Sequence, residues 1–266
     1  MAEPISSLQN PRIKGLVRLR NRRERDQTGR FLIEGYRELR RAADRRVALE
    51  TLFVCDDLFL GGNEPRLIDD ARALGTEVVE VGSEAFAKVS YRDRPEGLIA
   101  VAKQFETGLA ALAPADDPLY LVVESIEKPG NLGTMLRTAD AAGVAAVVVT
   151  DATTDPFNPN VVRASLGCLF TVPLAISSTA EALAWLAESG VRTVATTPDT
   201  QTLLWNADLT GPVAIVVGSE QYGLSSEWLD GADERVRIPM SGAADSLNAA
   251  MAAGVALFEA VRQRSR

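Results

Sequence analysis

The sequence predicts an α/β protein in two blocks, the second a parallel sheet covered by helices on both faces. Three observations lead there. Segments 119–123, 145–150, 193–196 and 213–217 are apolar on both faces, as buried parallel strands are, with a weaker strand at 236–238. Helical patterns over 132–142, 159–168, 179–189 and 245–263 alternate with them, the order expected of a doubly covered sheet. Ahead of both lies 104–118, a stretch of low periodicity holding Pro114, Pro118 and the acids Asp116 and Asp117, which reads as a linker. Residues 1–103 and 119–266 are therefore expected as separate domains.

The first block opens on a basic helix expected over 11–25. Arg12, Lys14, Arg18, Arg20, Arg22, Arg23 and Arg25 share this span with a single acid, Glu24, while Ile13, Leu16, Val17 and Leu19 supply an anchoring face. Strands near 31–34, 51–55, 77–81 and 97–103 then alternate with helices near 35–46, 65–74 and 83–89, which makes a small α/β domain. Residues 1–50 hold thirteen Arg or Lys against seven Asp or Glu, a balance of +6 on a chain whose net charge is −8. A basic arm on an acidic body suits a polyanionic partner. The planar guanidinium fork binds two phosphate oxygens at once, and only Phe31 and Tyr36 stand nearby for stacking, so phosphate contact is expected rather than base readout. The same charges also fit a solvated helix face.

Composition removes several classes of function. At 46% apolar and 24% charged residues the chain reads as globular. No apolar run reaches the roughly 20 residues of a membrane helix and no signal-peptide core opens the chain, so the cytosol is expected and no membrane partner. Cys55 and Cys168 lie far apart without metal-like spacing, and no structural zinc or disulfide framework is expected. Histidine is absent, which excludes imidazole acid–base work, Ser-His or Cys-His nucleophiles and His-ligated metals. Chemistry must run on carboxylates, hydroxyls, lysine, arginine or backbone dipoles.

Three loops leave the predicted strands of the second block. The first, 124–131, turns at Pro129 and Gly130 and brings Asn131 to a position expected to cap a helix. Leu132, Met135, Leu136 and Ala139 form that helix's core stripe, with Thr134, Arg137 and Thr138 on the other side. The second, 216–225, places Gly218, Ser219 and Glu220 at the sheet's mouth, followed by Gly223 and Ser225, but it is neither a P-loop nor a dinucleotide fingerprint. The third, 238–248, runs from Ile238 and Met240 through Ser241, Gly242, Ala243 and Ala244 to Asp245, Ser246 and Asn248. Asp245 or Ser246 is expected to cap the last helix. Ligands of parallel sheets bind at the carboxyl ends of the strands, where all three loops lie. Apolar walls with many backbone hydrogen-bonding groups and no phosphate cradle suit an adenosine-bearing ligand without a pyrophosphate, for which S-adenosylmethionine is the expected cofactor.

These residues resemble the SpoU/TrmH-type RNA ribose 2′-O-methyltransferases. The resemblance rests on Asn131 to Arg137 with Gly143, on Gly218, Ser219 and Glu220 with Gly223 and Leu224, and on Ile238, Pro239 and Met240 with Ser246, Leu247 and Asn248. Arg163, Ser165 and Gly167, with Phe170 and Pro173, add to it, and the match spans 119–264. Asn10 and Pro11, the run 29–35 and the run 97–100 are similar to the substrate-binding domain often fused to these enzymes, a relative of ribosomal protein L30e. The resemblance implies a deep trefoil knot in the carboxyl-terminal domain, a rare exception to unknotted chains. Small residues at 241–244 would let the chain pass closely. It implies a homodimer with shared active sites, and contacts to S-adenosylmethionine from Thr196, Gly218, Ser219, Glu220, Ile238, Met240, Leu247 and Asn248. It also implies catalytic roles for Asn131, Arg137, Glu220, Ser246 and Asn248, with no metal. Arg137 is expected to clamp the target phosphate and stabilise a developing alkoxide, or to act as base, and water or Glu220 to take the proton. RNA contacts are expected from Arg12, Lys14, Arg18, Arg20, Arg22, Arg23, Arg25, Arg30 and Arg163. The substrate expected is 23S ribosomal RNA. The alternatives are transfer RNA and a non-catalytic RNA-binding or ribosome-assembly protein on the same fold.

Overall fold

The computed structural model describes residues 3–243 and 245–265; Ala244, named above in the third loop, lies outside them. The first stretch of chain forms α1 (Pro11–Arg18), α2 (Arg22–Thr28), β1 (Arg30–Glu34), α3 (Tyr36–Asp44), β2 (Leu49–Val54), α4 (Glu64–Ala73), β3 (Glu77–Glu80), α5 (Ser83–Val89) and β4 (Leu98–Lys103). There follow β5 (Leu119–Glu124), α6 (Pro129–Ala142), β6 (Ala146–Thr150), α7 (Pro159–Ala164), β7 (Leu174–Ser177) and α8 (Thr179–Glu188). The chain ends with β8 (Arg192–Thr196), β9 (Val213–Val217), α9 (Ser226–Gly231), β10 (Glu234–Val236) and α10 (Ala249–Arg264).

Two compact units result. One joins the residues up to Phe105 with Asp155–Thr171, the other joins Glu106–Thr154 with the residues from Val172 on. Residues 155–171, expected in the second block, thus pack with the first. An aromatic cluster joins them: the Phe157 ring lies tilted 4.9 Å from Phe31 and edge-on 5.0 Å from Phe105, and Phe170 lies 6.2 Å from Phe31.

In the first unit the sheet runs β1-β4-β2-β3, with β4 antiparallel to both neighbours and β2 parallel to β3. Ile13, Leu16 and Leu19 bury against Phe86 and Val89 of α5 and Leu32, Phe53 and Ile99 of the sheet. The single basic helix expected over 11–25 is two helices. Asn10 caps α1 by accepting from Arg12 N at 2.9 Å, and Asn21 caps α2 by accepting from Arg23 N at 2.9 Å. The break is held by Arg25, whose Nη1 donates to Leu19 O (2.9 Å) and Arg20 O (2.8 Å).

In the second unit six strands lie parallel in the order β10-β8-β9-β5-β6-β7. Tyr120 pairs with Ala146 on one side of β5 and with Ala214 on the other, and Thr193 pairs with Ala214 across β8 and β9. One face, carrying Tyr120, Val122, Val148, Ala195, Ala214 and Val216, packs on Ala182 and Leu186 of α8 and Trp228 of α9. Successive strand residues alternate between faces. Helix α6 packs on β6, α10 on β9, and the two helices pack on each other. Strand β7 was not foreseen. Among the described residues no helix is long and apolar enough to cross a membrane.

Candidate active site

The chain goes from β5 to β6 and β7 on one side, then crosses to β8 on the other and returns to β9, so the order reverses between β5 and β9. Loops leaving the carboxyl ends of adjacent strands at such a point diverge and open a crevice. The first and second loops leave these two strands, and the third leads into α10.

One carboxylate ties the three together. Glu220 pairs with Lys128 Nζ through Oε2. Its Oε1 accepts from Asn131 Nδ2 at 2.9 Å and also from Asn248 Nδ2. Asn248 Nδ2 also donates to Asn131 Oδ1 at 3.2 Å. Local backbone chemistry brings them there. Pro129 starts α6, with its fixed φ suited to a first helical position, so Asn131 falls in the first turn rather than at the cap, which is Lys128. The side chain of Asn131 is thereby free to cross to Glu220. The last helix starts later than expected and is capped by neither Asp245 nor Ser246. Asn248 caps it, its Oδ1 accepting from Ala250 N (3.0 Å) and Met251 N (3.3 Å).

The second loop is a tight turn. Ser219 N donates to Gly223 O (3.0 Å), Gly223 N donates back to Ser219 O (3.1 Å), and Tyr222 N donates to Ser219 Oγ (3.1 Å). Gly223 has φ +67°, and a Cβ on Gly218 would stand 2.2 Å from the Gly223 carbonyl, so no other residue fits at 218 without moving the turn. Lys128 and the Asn131 amide, helped by the Ala249 backbone amide, hold the Glu220 carboxyl below the usual carboxylate range. Its position at the starts of α6 and α10 adds two favourable helix dipoles. A carboxylate so saturated is a poor proton acceptor and a good structural anion.

Sequence reasoning missed Lys128 and Glu124. Lys128 is a single charge before Pro129, and only the acid in a distant loop gives it meaning. Glu124 ends an otherwise apolar strand and is 4% exposed. Its Oε2 accepts from Ser225 N at 2.7 Å and its Oε1 from Thr179 Oγ1 at 3.4 Å. It thus anchors the far end of the second loop to β5. A lone acid closing a fully buried strand was the signal.

The remaining expected residues distribute as follows. Thr196 ends β8 with its Oγ1 donating to Val216 O at 2.9 Å. Ile238 and Leu247 are half-buried, and Met240 is exposed. Ser246 is exposed and outside the Glu220 cluster. Arg137 lies two turns into α6 and is exposed, with no ion pair or hydrogen bond to any described residue, so the structure does not bring it to Glu220.

In the first unit, most of the arginines expected to face RNA have intramolecular partners. Arg25 is the clearest correction. It is 1% exposed and pairs with Asp155 at 2.6 Å, so it cannot meet a solvent-borne phosphate. Arg20 donates to Lys88 O and Ser90 O, both at 2.9 Å, and lies 4.7 Å over the Tyr91 ring. Arg12 pairs with Glu77, Arg18 with Glu24, Arg22 with Asp26 and Arg30 with Glu50 on the surface. Arg163 on α7 donates to Tyr91 O at 3.4 Å. Lys14 and Arg23 are exposed and unpaired among the described residues. Among those residues no cluster of metal-ligating side chains occurs.

Comparison with known proteins identifies the family. Residues 118–258 match the SpoU rRNA Methylase family, and 10–100 match the MRM3-like substrate binding domain. The chain is 30% identical to the 23S rRNA (guanosine(2553)-2′-O)-methyltransferase RlmP of Bacillus subtilis, over 96% of this chain and 97% of that one. It is similar to a crystallised RNA 2′-O ribose methyltransferase at 43% identity, covering 99% of this chain and 100% of the other, with a TM-score of 0.87. An AdoMet-bound rRNA methyltransferase from Sinorhizobium meliloti shares 33% identity over 98% of this chain and 97% of its own, with a TM-score of 0.90. The chain belongs to the SpoU rRNA methylase family.

Proposed function

We propose that this protein methylates a ribose 2′-hydroxyl of 23S ribosomal RNA with S-adenosylmethionine as donor. The observation that carries the reading is the closure of three distant loops on Glu220 at the point where the strand order reverses. Similarity to 23S rRNA enzymes over nearly the whole chain, first unit included, supports ribosomal RNA as the substrate.

The residues present suit the cofactor. The crevice edge offers Thr196, half-buried Ile238 and Leu247, and the backbone of 218–219, an apolar and amide-rich lining without a phosphate cradle. When bound, S-adenosylmethionine supplies an electrophilic methyl group on a sulfonium that leaves readily. The chain's own residues then position rather than activate. Lys128, Asn131 and Asn248 hold Glu220 ionised, and Glu220 in turn fixes the amides of both asparagines and the starts of α6 and α10. Guanidinium groups keep their proton in proteins, so Arg137 acts by charge, clamping the phosphate and stabilising the alkoxide that forms as the hydroxyl proton passes to water. Ser246 is left to meet the ribose.

The deep knot and the homodimer belong to the same reading. After β10 at the sheet's edge, α10 returns to α6. Its end is clasped by the preceding loops: Arg264 donates to Asp117 O (2.9 Å) and Pro118 O (3.2 Å), and Gln263 to Ala207 O (3.1 Å). Along α10, Met251 and Phe258 are 60% and 50% exposed seven positions apart, and α10 packs on α6, which carries the exposed Arg137; an exposed apolar face there is what a second copy would require. A cytoplasmic location follows from the ribosomal substrate.

The test is titration of the protein with S-adenosylhomocysteine by calorimetry, together with counting of radiolabelled methyl groups taken up by ribosomal RNA from a strain lacking the gene. Binding with uptake supports the reading. Absence of both ends it.

A further inference from the structure

Tyr222 sits at the tip of the second loop, two residues after Glu220, with 76% of its surface exposed. An exposed aromatic is unremarkable by itself. This one is held in place. The reciprocal Ser219–Gly223 backbone pair closes the turn, the Ser219 hydroxyl fixes the Tyr222 amide at 3.1 Å, and buried Glu124 anchors the loop's exit through Ser225 N. The backbone of Gly223 packs so closely on Gly218 that a Cβ there would stand 2.2 Å from its carbonyl. The ordering cost of a flexible loop is therefore already met before any ligand arrives. Among the described residues the ring has no aromatic or hydrogen-bonding partner, and Lys128, which pairs with Glu220 two positions before Tyr222, is itself 66% exposed.

We propose that Tyr222 is a nucleobase-stacking contact of the RNA substrate, taking a base of the target strand on its ring at the mouth of the methyl-transfer crevice. The inference rests on the proposed function and adds the residue that grips the RNA there. A base splayed out of its stack must regain a stacking partner, and an aromatic ring supplies one without regard to base identity. The turn presents an exposed ring two positions after Glu220, at the loop cluster where the proposed function places the target ribose.

The experiment compares wild type with Tyr222→Ala, Tyr222→Phe and Tyr222→Trp, reading KM for 23S rRNA transcripts and Kd for S-adenosylhomocysteine. Exposure of the side chain makes misfolding of these variants unexpected, and Tm confirms it. The Ala variant is expected to raise KM for RNA by roughly 5- to 150-fold, the worth of one stacked base. Its Kd for S-adenosylhomocysteine stays within twofold of wild type, and Phe and Trp restore KM. An unchanged KM in the Ala variant overturns the proposal, and so does a Phe variant as impaired as Ala, since the ring would then not be the contact. A wild-type protein that binds S-adenosylhomocysteine but methylates no RNA removes the proposed function, and this contact with it.

Discussion

Asn131 Nδ2 donates to Glu220 Oε1 at 2.9 Å across 89 positions of sequence, and Asn248 closes the triangle from a third segment. Each of these side chains spends its polar atoms on the others or on a helix start. Glu220→Gln keeps the shape but presents an amide donor to two amides and a lysine. Methyl transfer is expected to fall by about tenfold or more, the effect of losing a charge-assisted hydrogen bond, with weaker S-adenosylhomocysteine binding. Steady-state rates and calorimetry on the variant check this.

Acid should loosen the same cluster. The native carboxyl of Glu220 is lowered by Lys128 and Asn131, so its contribution to stability is full above the ordinary carboxylate pKa of about 4.3 and is lost as pH falls through the lowered native value. The difference in denaturation midpoint between wild type and Glu220→Gln is expected to be constant near neutrality and to shrink in acid. Urea titrations at a series of pH values measure it.

Arg137 is exposed and has no ion pair or hydrogen bond among the described residues, Glu220 included. Arg137→Ala is expected to abolish methyl transfer while Kd for S-adenosylhomocysteine changes less than about twofold, the pattern of a group that meets the RNA and the transition state but not the cofactor. Arg137→Lys should recover little, because a point charge does not reproduce the bidentate fork. Single-turnover transfer with radiolabelled donor decides.

Arg25 is a structural residue. Arg25→Ala leaves Asp155 buried and unpaired and is expected to cost about 3–5 kcal/mol of stability. Arg25→Met with Asp155→Leu should recover most of it, because an apolar pair leaves no stranded charge. Denaturant midpoints of the two variants test the contrast.

RNA affinity in the first unit should depend on the cations that remain free. Reversal of Lys14 and Arg23 to glutamate is expected to weaken binding to ribosomal RNA and to reduce the slope of log K against log salt by up to about 2. Filter binding at several salt concentrations provides the slope. An unaltered slope would make the basic run a solvated face.

Much of this was legible in the sequence, for identifiable reasons. The strands at 119–124 and 213–217 are unbroken apolar runs, and the loops after them hold glycines and a carboxylate with no local purpose. Strand β7 escaped because Leu174–Ser177 is short, follows Pro173 and ends in a polar residue. The start of α10 was misplaced because Asp245, Ser246 and Asn248 can all cap, and local chemistry does not choose among them. The choice is made by Glu220, which needs the Asn248 amide. Arg25 looked like its neighbours because its partner Asp155 lies 130 positions away.

A ribose oxygen of ribosomal RNA is expected to receive the methyl group. Total RNA from a deletion strain, incubated with the purified protein and methyl-labelled S-adenosylmethionine, should carry label in one 23S rRNA fragment, at a single position resistant to alkaline hydrolysis. Label confined to transfer RNA, label on a base, or no label at all would contradict it.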